Sequence, residues 1–444
     1  MMQRIITVSD LHLAVPGPLN NFHAGPKLAT FFAAQARSGT TLVLAGDVFD
    51  LLQTPGYPAV LDLHRAPNLV ERTFEAIARE PWGRALFDAL ASVLDMGGEL
   101  VVMPGNHDPE LAHPATRSLL LKQLGFHDHP GLHVHATREP WRASVGNWQV
   151  VIGHGHRADA WNAIEPEALL GALSRGESSL PLPPGSRLVT DVLNVFKEVR
   201  DPSTGNPRFP FIDLLKPETP AVPLLLLYLD RQLALRCLPS ALGLSAERFV
   251  RSVKQWLADG PVLAEGPRAA VSSDPCDDLA RSFVTGFDAA ERSNPGTSAR
   301  RLEAWLTSDG GEVAGADMLA QHGGIDRVVL RAFLIAASGR GSFFDPRTPS
   351  PEDQAIIDEH LSSVSGPTAV IAGHTHAARE IVLSDHRVYI NTGTWTDLMR
   401  FPTADDETAL RTWIDELDAG RVPRFRKLTY AEVTSQGPVL REYE

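Results

Sequence analysis

The chain has 444 residues, 43% hydrophobic and 21% charged, which is enough for two or three domains with cores of their own and unlike a disordered or fibrous composition. Lys and Arg number 41 against 54 Asp and Glu, a formal charge of −13 that argues against a general nucleic-acid coat protein without excluding a local positive site. Only Cys237 and Cys276 are present, with no Cys-x-x-Cys spacing, so neither a disulfide framework nor a zinc ribbon is expected.

The N-terminus runs directly into Arg4-Ile5-Ile6-Thr7-Val8, which lacks the apolar core and cleavage site of a signal peptide, and a cytoplasmic location is expected. Short apolar runs at Ile5 to Val8, Thr41 to Ala45, Leu100 to Met103, Gln149 to Ile152 and Ala369 to Ala372 read as fully buried strands. Helical segments separate the first three: one around Ala29 to Ala34, and one over Val70 to Leu94 that Pro81-Trp82-Gly83 divides in two. Gly131 to His135 and Ala143 to Val145, the latter followed by Gly146-Asn147 and Trp148, read as strands joined by tight turns.

From about Arg157 to Thr348 amphipathic helix patterns take over. Leu188, Val192, Val195, Phe196 and Val199 share a predicted face, as do Phe249, Val253, Trp256 and Leu257 behind the candidate cap Ser245. The longest aliphatic stretch, Val222 to Leu229, stops at Asp230-Arg231, short of the roughly 20 residues a membrane span needs. Ser350-Pro351-Glu352-Asp353 predicts a capped helix through Ile356, Ile357 and Leu361. Ile381 to Leu383 and Val388 to Ile390 predict a hairpin. The expected organisation is therefore an α/β core over 1–156 and 350–444, discontinuous in sequence, with a mostly helical insertion over 157–349.

The residues at the end of each buried run carry the chemistry: Asp10-Leu11-His12, Gly46-Asp47-Val48-Phe49-Asp50, Gly105-Asn106-His107-Asp108, Gly153-His154-Gly155-His156 and Gly373-His374-Thr375-His376. In an α/β sheet the carboxyl ends of the strands open into one crevice, so clusters remote in sequence converge. Asp, Asn and His suit Zn, Fe or Mn, and their number exceeds the needs of one four-coordinate ion. It matches two ions about 3.5–4 Å apart sharing a carboxylate, an arrangement suited to phosphoryl transfer.

The ordered set resembles the calcineurin-like metallophosphoesterase superfamily, whose run is Asp-x-His, Gly-Asp-x-x-Asp, Gly-Asn-His-Asp or Glu, a lone His after a strand, and Gly-His-x-His. Asn391-Thr392-Gly393-Thr394-Trp395 resembles the Asn-x-Gly-x-Trp strand that comes after the last metal motif in that superfamily. The resemblance covers about residues 4–160 and 350–398. It implies a two-sheet β-sandwich flanked by helices and two divalent ions, Mn favoured over Fe or Zn. Asp10, His12 and His376 would hold one ion, Asn106, His154 and His374 the other, and Asp47 would bridge them. His107 would donate a proton near the scissile phosphate with Asp108 orienting it, and Asp50 would fix a ligand histidine. The implied reaction is hydrolysis of a phosphodiester or small organic phosphate by a hydroxide bridging the two ions.

His156 and Asp159 mark a departure. Where the UDP-diacylglucosamine pyrophosphate hydrolases of the superfamily read His-Gly-Asp-x-x-Asp, His156 replaces the first Asp, and Asn106-His107-Asp108 stands where they tend to carry Asn-Arg-Asp; both argue against that substrate. His127, His129, His133 and His135 sit on a turn and hairpin and are read as non-ligands, as are His23, His64, His113, His322, His360 and His386. A nuclease is the first alternative, but residues 157–349 hold 21 Lys and Arg against 24 Asp and Glu and show no basic stripe. A non-catalytic scaffold is the second; it would be expected to have lost His107 or a ligand. The insertion, rooted between His154 and His374, is expected to act as a cap or a docking surface, its attachment point favouring a cap, with Gly339-Arg340-Gly341-Ser342 a candidate anion loop.

Overall fold

The computed structural model describes residues 4–159, 162–216, 222–230, 233, 234, 237, 348–361, 366–384, 386–400, 402 and 407–444. The fold is mixed α/β, with strands β1 (Arg4–Val8), β2 (Thr40–Ala45), β3 (Val60–Asp62), β4 (Glu99–Met103), β5 (Leu132–Val134), β6 (Trp141–Val145), β7 (Trp148–Ile152), β8 (Ser179–Pro181), β9 (Thr368–Ala372), β10 (Arg379–Ser384), β11 (Arg387–Asn391), β12 (Leu398–Met399), β13 (Arg424–Phe425), β14 (Thr429–Thr434) and β15 (Gly437–Glu442). The described helices are α1 (Gly25–Gln35), α2 (Ala66–Ala78), α3 (Pro81–Asp95), α4 (Thr116–Leu124), α5 (Pro166–Ser174), α6 (Pro184–Leu188), α7 (Asn194–Glu198), α8 (Val222–Leu229), α9 (Pro351–Leu361) and α10 (Glu407–Asp418).

Two sheets carry the architecture. The first runs β15-β14-β1-β2-β4-β5 and the second β10-β11-β9-β7-β6. Within the first, β1, β2, β4 and β5 are parallel and β14 runs antiparallel to β1; within the second, β11, β9 and β7 are parallel between antiparallel edges. Because side chains alternate along a strand, each apolar run serves two cores. Ile5, Val43, Ala45 and Val101 pack with Val150, Ile152, Ala369, Ile371 and Ile390 of the second sheet. The alternate residues Ile6, Val8, Leu42, Leu44, Leu100 and Val102 pack with Leu28, Phe31, Phe74, Leu86 and Phe87 from α1, α2 and α3. Val370, Ala372 and Tyr389 pack with Ile356 and Ile357 of α9. Burial on both faces is why these strands read as continuous rather than alternating runs.

The expected strands, the break at Pro81 and the helix from Pro351 are present. Ser350 Oγ accepts the Asp353 amide at 3.1 Å and the Asp353 carboxylate accepts the Ser350 amide at 3.0 Å, a reciprocal cap. Three features differ from expectation. Leu132–Val134 pairs with β4 in the first sheet, whereas Trp141–Val145 pairs with β7 in the second, so the two predicted neighbours separate. The hairpin β14–β15, which is not among the expected strands, extends the first sheet beyond β1, and burial alternates along β14. Val195 faces outward, 36% exposed, because residues Val189–Leu193 form a π-helical turn whose extra residue rotates the succeeding turn and brings Lys197 inward.

The chain forms two compact units: Met1–Leu214 with Pro346–Arg400 and Val422–Glu444, and Leu215–Asp345 with Phe401–Arg421. Residues 157–214 of the expected insertion thus belong to the same unit as the sheets, and they include a strand, β8, paired with β3. In the second unit Tyr228 donates to Asp418 at 2.7 Å. The predicted face behind Ser245, and residues 339–342, lie outside the described residues. Among the described residues no helix is long and apolar enough to cross a membrane.

Candidate metal centre

The loops that leave β1 and β2 run side by side. Asp10 donates its amide to Gly46 O at 3.1 Å, and His12 donates to Asp47 O at 2.9 Å, which stacks the first two sequence blocks against each other. The second sheet grips the same point: the His374 amide donates to Asp10 Oδ2 at 3.0 Å and Thr394 Oγ1 to Asp10 O at 2.7 Å. Gly105 and Gly373 permit this closeness, since a Cβ at Gly105 would strike the Asp47 carboxylate and one at Gly373 would strike Ser9 and Asp10.

Asp10, His12, Asp47, His374 and His376 all adopt left-handed backbone, with φ of 51°, 51°, 48°, 68° and 57°, and they are the non-glycine residues with positive φ among the described residues. Each such residue costs of order 1–2 kcal/mol, a cost that surrounding structure sustains chiefly at functional sites. All five are among the seven ligands that the resemblance assigns.

The side chains meet. His376 Nε2 lies 3.1 Å from Asp10 Oδ1 and 3.2 Å from His12 Nε2. His154 Nε2 lies 3.2 Å from Asn106 Oδ1 and 3.4 Å from Asp47 Oδ2, and His12 Nε2 lies 4.0 Å from the same Asp47 oxygen. Asp10, His12, Asp47 and His376 bring one ligand atom each within 4.8 Å of one another, all buried, so this group could hold a metal ion. The atoms fit that use: Asp47 Oδ2 and His374 Nδ1 are buried without a hydrogen-bond partner, which a cation would remedy.

The opposite edge is fixed in three of the rings. His12 Nδ1 lies 3.1 Å from Asp50 Oδ2, His107 Nδ1 3.0 Å from Asp50 Oδ1, and His154 Nδ1 2.9 Å from Ala45 O. The hydrogen bonds therefore give the orientation of His107 to Asp50, where the resemblance assigned it to Asp108. Asp108 is turned to the backbone, accepting the amides of Val48, Phe49 and Gly105 at 2.8, 3.0 and 2.6 Å. It shapes the loop that carries Asp47.

Charge within the cluster arises from proximity. Burial opposes ionisation of Asp50, but His107 and His12 beside it hold its carboxyl below the ordinary value. Asp10 and Asp47 are lowered too: burial opposes this, His376 and His154 outweigh it at Asp10, and His154 and His107 do so at Asp47. Burial would lower the His154 imidazole; the Asp47 and Asp10 carboxylates reverse this and raise it to about 9. Burial and the nearby Asp47 push Asp108 up to about 7 against its three amide donors. In the protein alone, the raised His154 imidazole carries positive charge beside the Asp47 and Asp10 carboxylates.

His156 is buried, donates Nε2–H to Ile164 O at 2.8 Å and is lowered to about 3 by burial and by His154. His129 and His135 make local backbone hydrogen bonds outside the cluster. Several contributors had no motif to reveal them. Gln53 donates to Asp50 at 2.6 Å, and Lys197 Nζ in turn donates to Gln53, Leu19 O and Asn21 at 2.9, 2.8 and 2.6 Å. Buried Asp353 pairs with Arg379 and accepts from Tyr389 at 2.6 Å, beside Asn391, whose amide holds Gly373 O at 2.7 Å. Away from the ligands, Tyr57 donates to buried Glu110 at 2.6 Å. A Lys or Gln without a patterned neighbour gives no local signal; only packing brings Lys197 and Gln53 to the site. Comparison with protein-family models and with curated proteins finds no match for this chain.

Proposed function

We propose that the protein is a dinuclear metal-dependent phosphoesterase of the calcineurin-like class, a hydrolase of a phosphodiester or small organic phosphate. The observation that carries this reading is the buried Asp47 carboxylate, with one oxygen lacking a hydrogen bond and lying 4.0 Å from His12 Nε2 on one side and 3.4 Å from His154 Nε2 on the other. Asp10, His12 and His376 would hold one divalent ion, Asn106, His154 and His374 a second, with Asp47 shared. Bound ions of this kind polarise phosphoryl oxygens and generate a nucleophile from water at neutral pH.

The chain's own groups divide the remaining work. Asp50 holds His107 by Nδ1, and this ring would present a proton to a leaving oxygen. Asp108, accepting three loop amides, keeps Asp47 in place. Ser9 Oγ and the His374 amide hold the Asp10 carboxylate from the other side.

The test is to strip metals with a chelator, add Mn²⁺, and assay a panel of phosphate mono- and diesters beginning with bis(p-nitrophenyl) phosphate. Mn²⁺-dependent hydrolysis that D47N abolishes is the expected result. A protein that takes up no divalent metal, or takes it up and cleaves none of the panel, overturns the reading.

A further inference from the structure

The segment after β7 returns to the centre. Past the 3₁₀ turn His156–Ala158, Asp159 Oδ2 lies 3.2 Å from His374 Nε2 and accepts Asn162 Nδ2 at 2.6 Å; Asn162 Oδ1 in turn faces Asn106 Nδ2 at 3.5 Å. Asn162 is fully buried, and Ser186 Oγ donates to the backbone carbonyl of Asn106 at 3.3 Å from the same side.

An ionised carboxylate can only accept hydrogen bonds, and this gives the chain a direction. Facing Asp159, His374 must carry its proton on Nε2, which leaves the lone pair on the buried, unpartnered Nδ1. Facing the same oxygen, Asn162 must offer its amide nitrogen, which turns its carbonyl to Asn106. Asn106 then spends its own amide nitrogen on Asn162 and presents Oδ1 toward His154 Nε2, 3.2 Å away. One carboxylate thus selects the donor atom of two separate side chains.

We propose that Asp159, acting through Asn162, is the positioning residue of the second metal site: it sets the His374 tautomer and the Asn106 amide orientation so that Nδ1 and Oδ1 are the atoms offered to the ion. The proposal rests on the two-metal reading above. The first site has different supports, Asp50 for His12 and Ser9 for Asp10.

The full chain, stripped of metal, is titrated with Mn²⁺ by calorimetry, and bound metal is counted after gel filtration. The wild type is expected to bind two equivalents. D159N, which can donate as well as accept, should lose about 10- to 100-fold in affinity at the weaker site with little change at the tighter one, and D159E should recover part of the loss. Thermal unfolding of the metal-free proteins should coincide within a few degrees. Nitrogen-15 spectra of the metal-free wild type at pH 9 should show His374 as the Nε2–H tautomer, a readout independent of any variant's folding.

A D159N protein that binds two Mn²⁺ ions with wild-type affinities, or a wild-type His374 protonated on Nδ1, overturns the positioning role and leaves the two-metal reading standing. A wild type that binds no Mn²⁺ overturns both.

Discussion

Asp50 and His107 are joined through Asp50 Oδ1 and His107 Nδ1 at 3.0 Å, and the second oxygen of that carboxylate lies 3.1 Å from His12 Nδ1. A single buried acid therefore serves both the proposed proton donor and a proposed metal ligand, and Lys197 anchors it through Gln53.

Replacing Asp50 by Asn removes the carboxylate that holds the His107 ring. D50N should lower turnover of an alkyl phosphodiester by about 100-fold and that of a p-nitrophenyl ester by less than about tenfold, because a phenolate departs with little protonation. H107A should give the same leaving-group pattern with metal content intact. Equal losses on both substrates would remove His107 from the acid role.

D47N should reduce occupancy at both metal positions, since a neutral amide bridges two cations poorly. G105A should do the same by displacing the Asp47 carboxylate, which stands where the new methyl group would be. Elemental analysis decides; two full equivalents in either variant would contradict a bridging Asp47.

Metal binding should release protons. In the metal-free protein His154 is raised to about 9, so at pH 7 it must lose a proton before it can ligate. Mn²⁺ affinity should rise by about tenfold per pH unit between pH 7 and 9 from this group alone. Calorimetry in buffers of different ionisation enthalpy measures the protons released, and none at pH 7 would contradict His154 ligation.

Glu110 gives a stability test away from the ligands. Burial raises its carboxyl from 4.5 to about 7, so the folded state holds this proton more tightly than the unfolded chain. The associated stability is fully present below about pH 4.5 and is lost as pH rises through about 7, amounting to about 3 kcal/mol. E110Q should therefore gain on the wild type by about that amount between pH 4 and pH 8 in denaturant titrations. Parallel pH profiles for the two proteins would refute the shift.

The ion pair of Asp353 with Arg379 is fully buried beneath the loop that carries His374 and His376. D353A breaks this buried pair and should cost about 3–5 kcal/mol, read as a fall in thermal midpoint. Unchanged stability would show that the pair contributes nothing net.

The five central strands, the helix break at Pro81, the cap at Ser350 and the five blocks whose side chains meet are all legible in the residues themselves. These are local signals: a strand buried on both faces must be apolar throughout, and ligand chemistry needs particular side chains at the strand's end. Other features depend on packing between distant segments. Asp108 adjoins His107 in sequence yet turns to backbone amides, and the carboxylate that reaches the ring is Asp50, because the direction of a side chain is set by the fold around it. β14 pairs with β1, from which it is remote in sequence, and Asp159 reaches His374 across 215 residues of sequence. Left-handed backbone at Asp10, His12, Asp47, His374 and His376 likewise has no sequence signature: Asp and His enter that region more readily than most residues but usually lie outside it, and the contacts that draw the strand ends together impose it here.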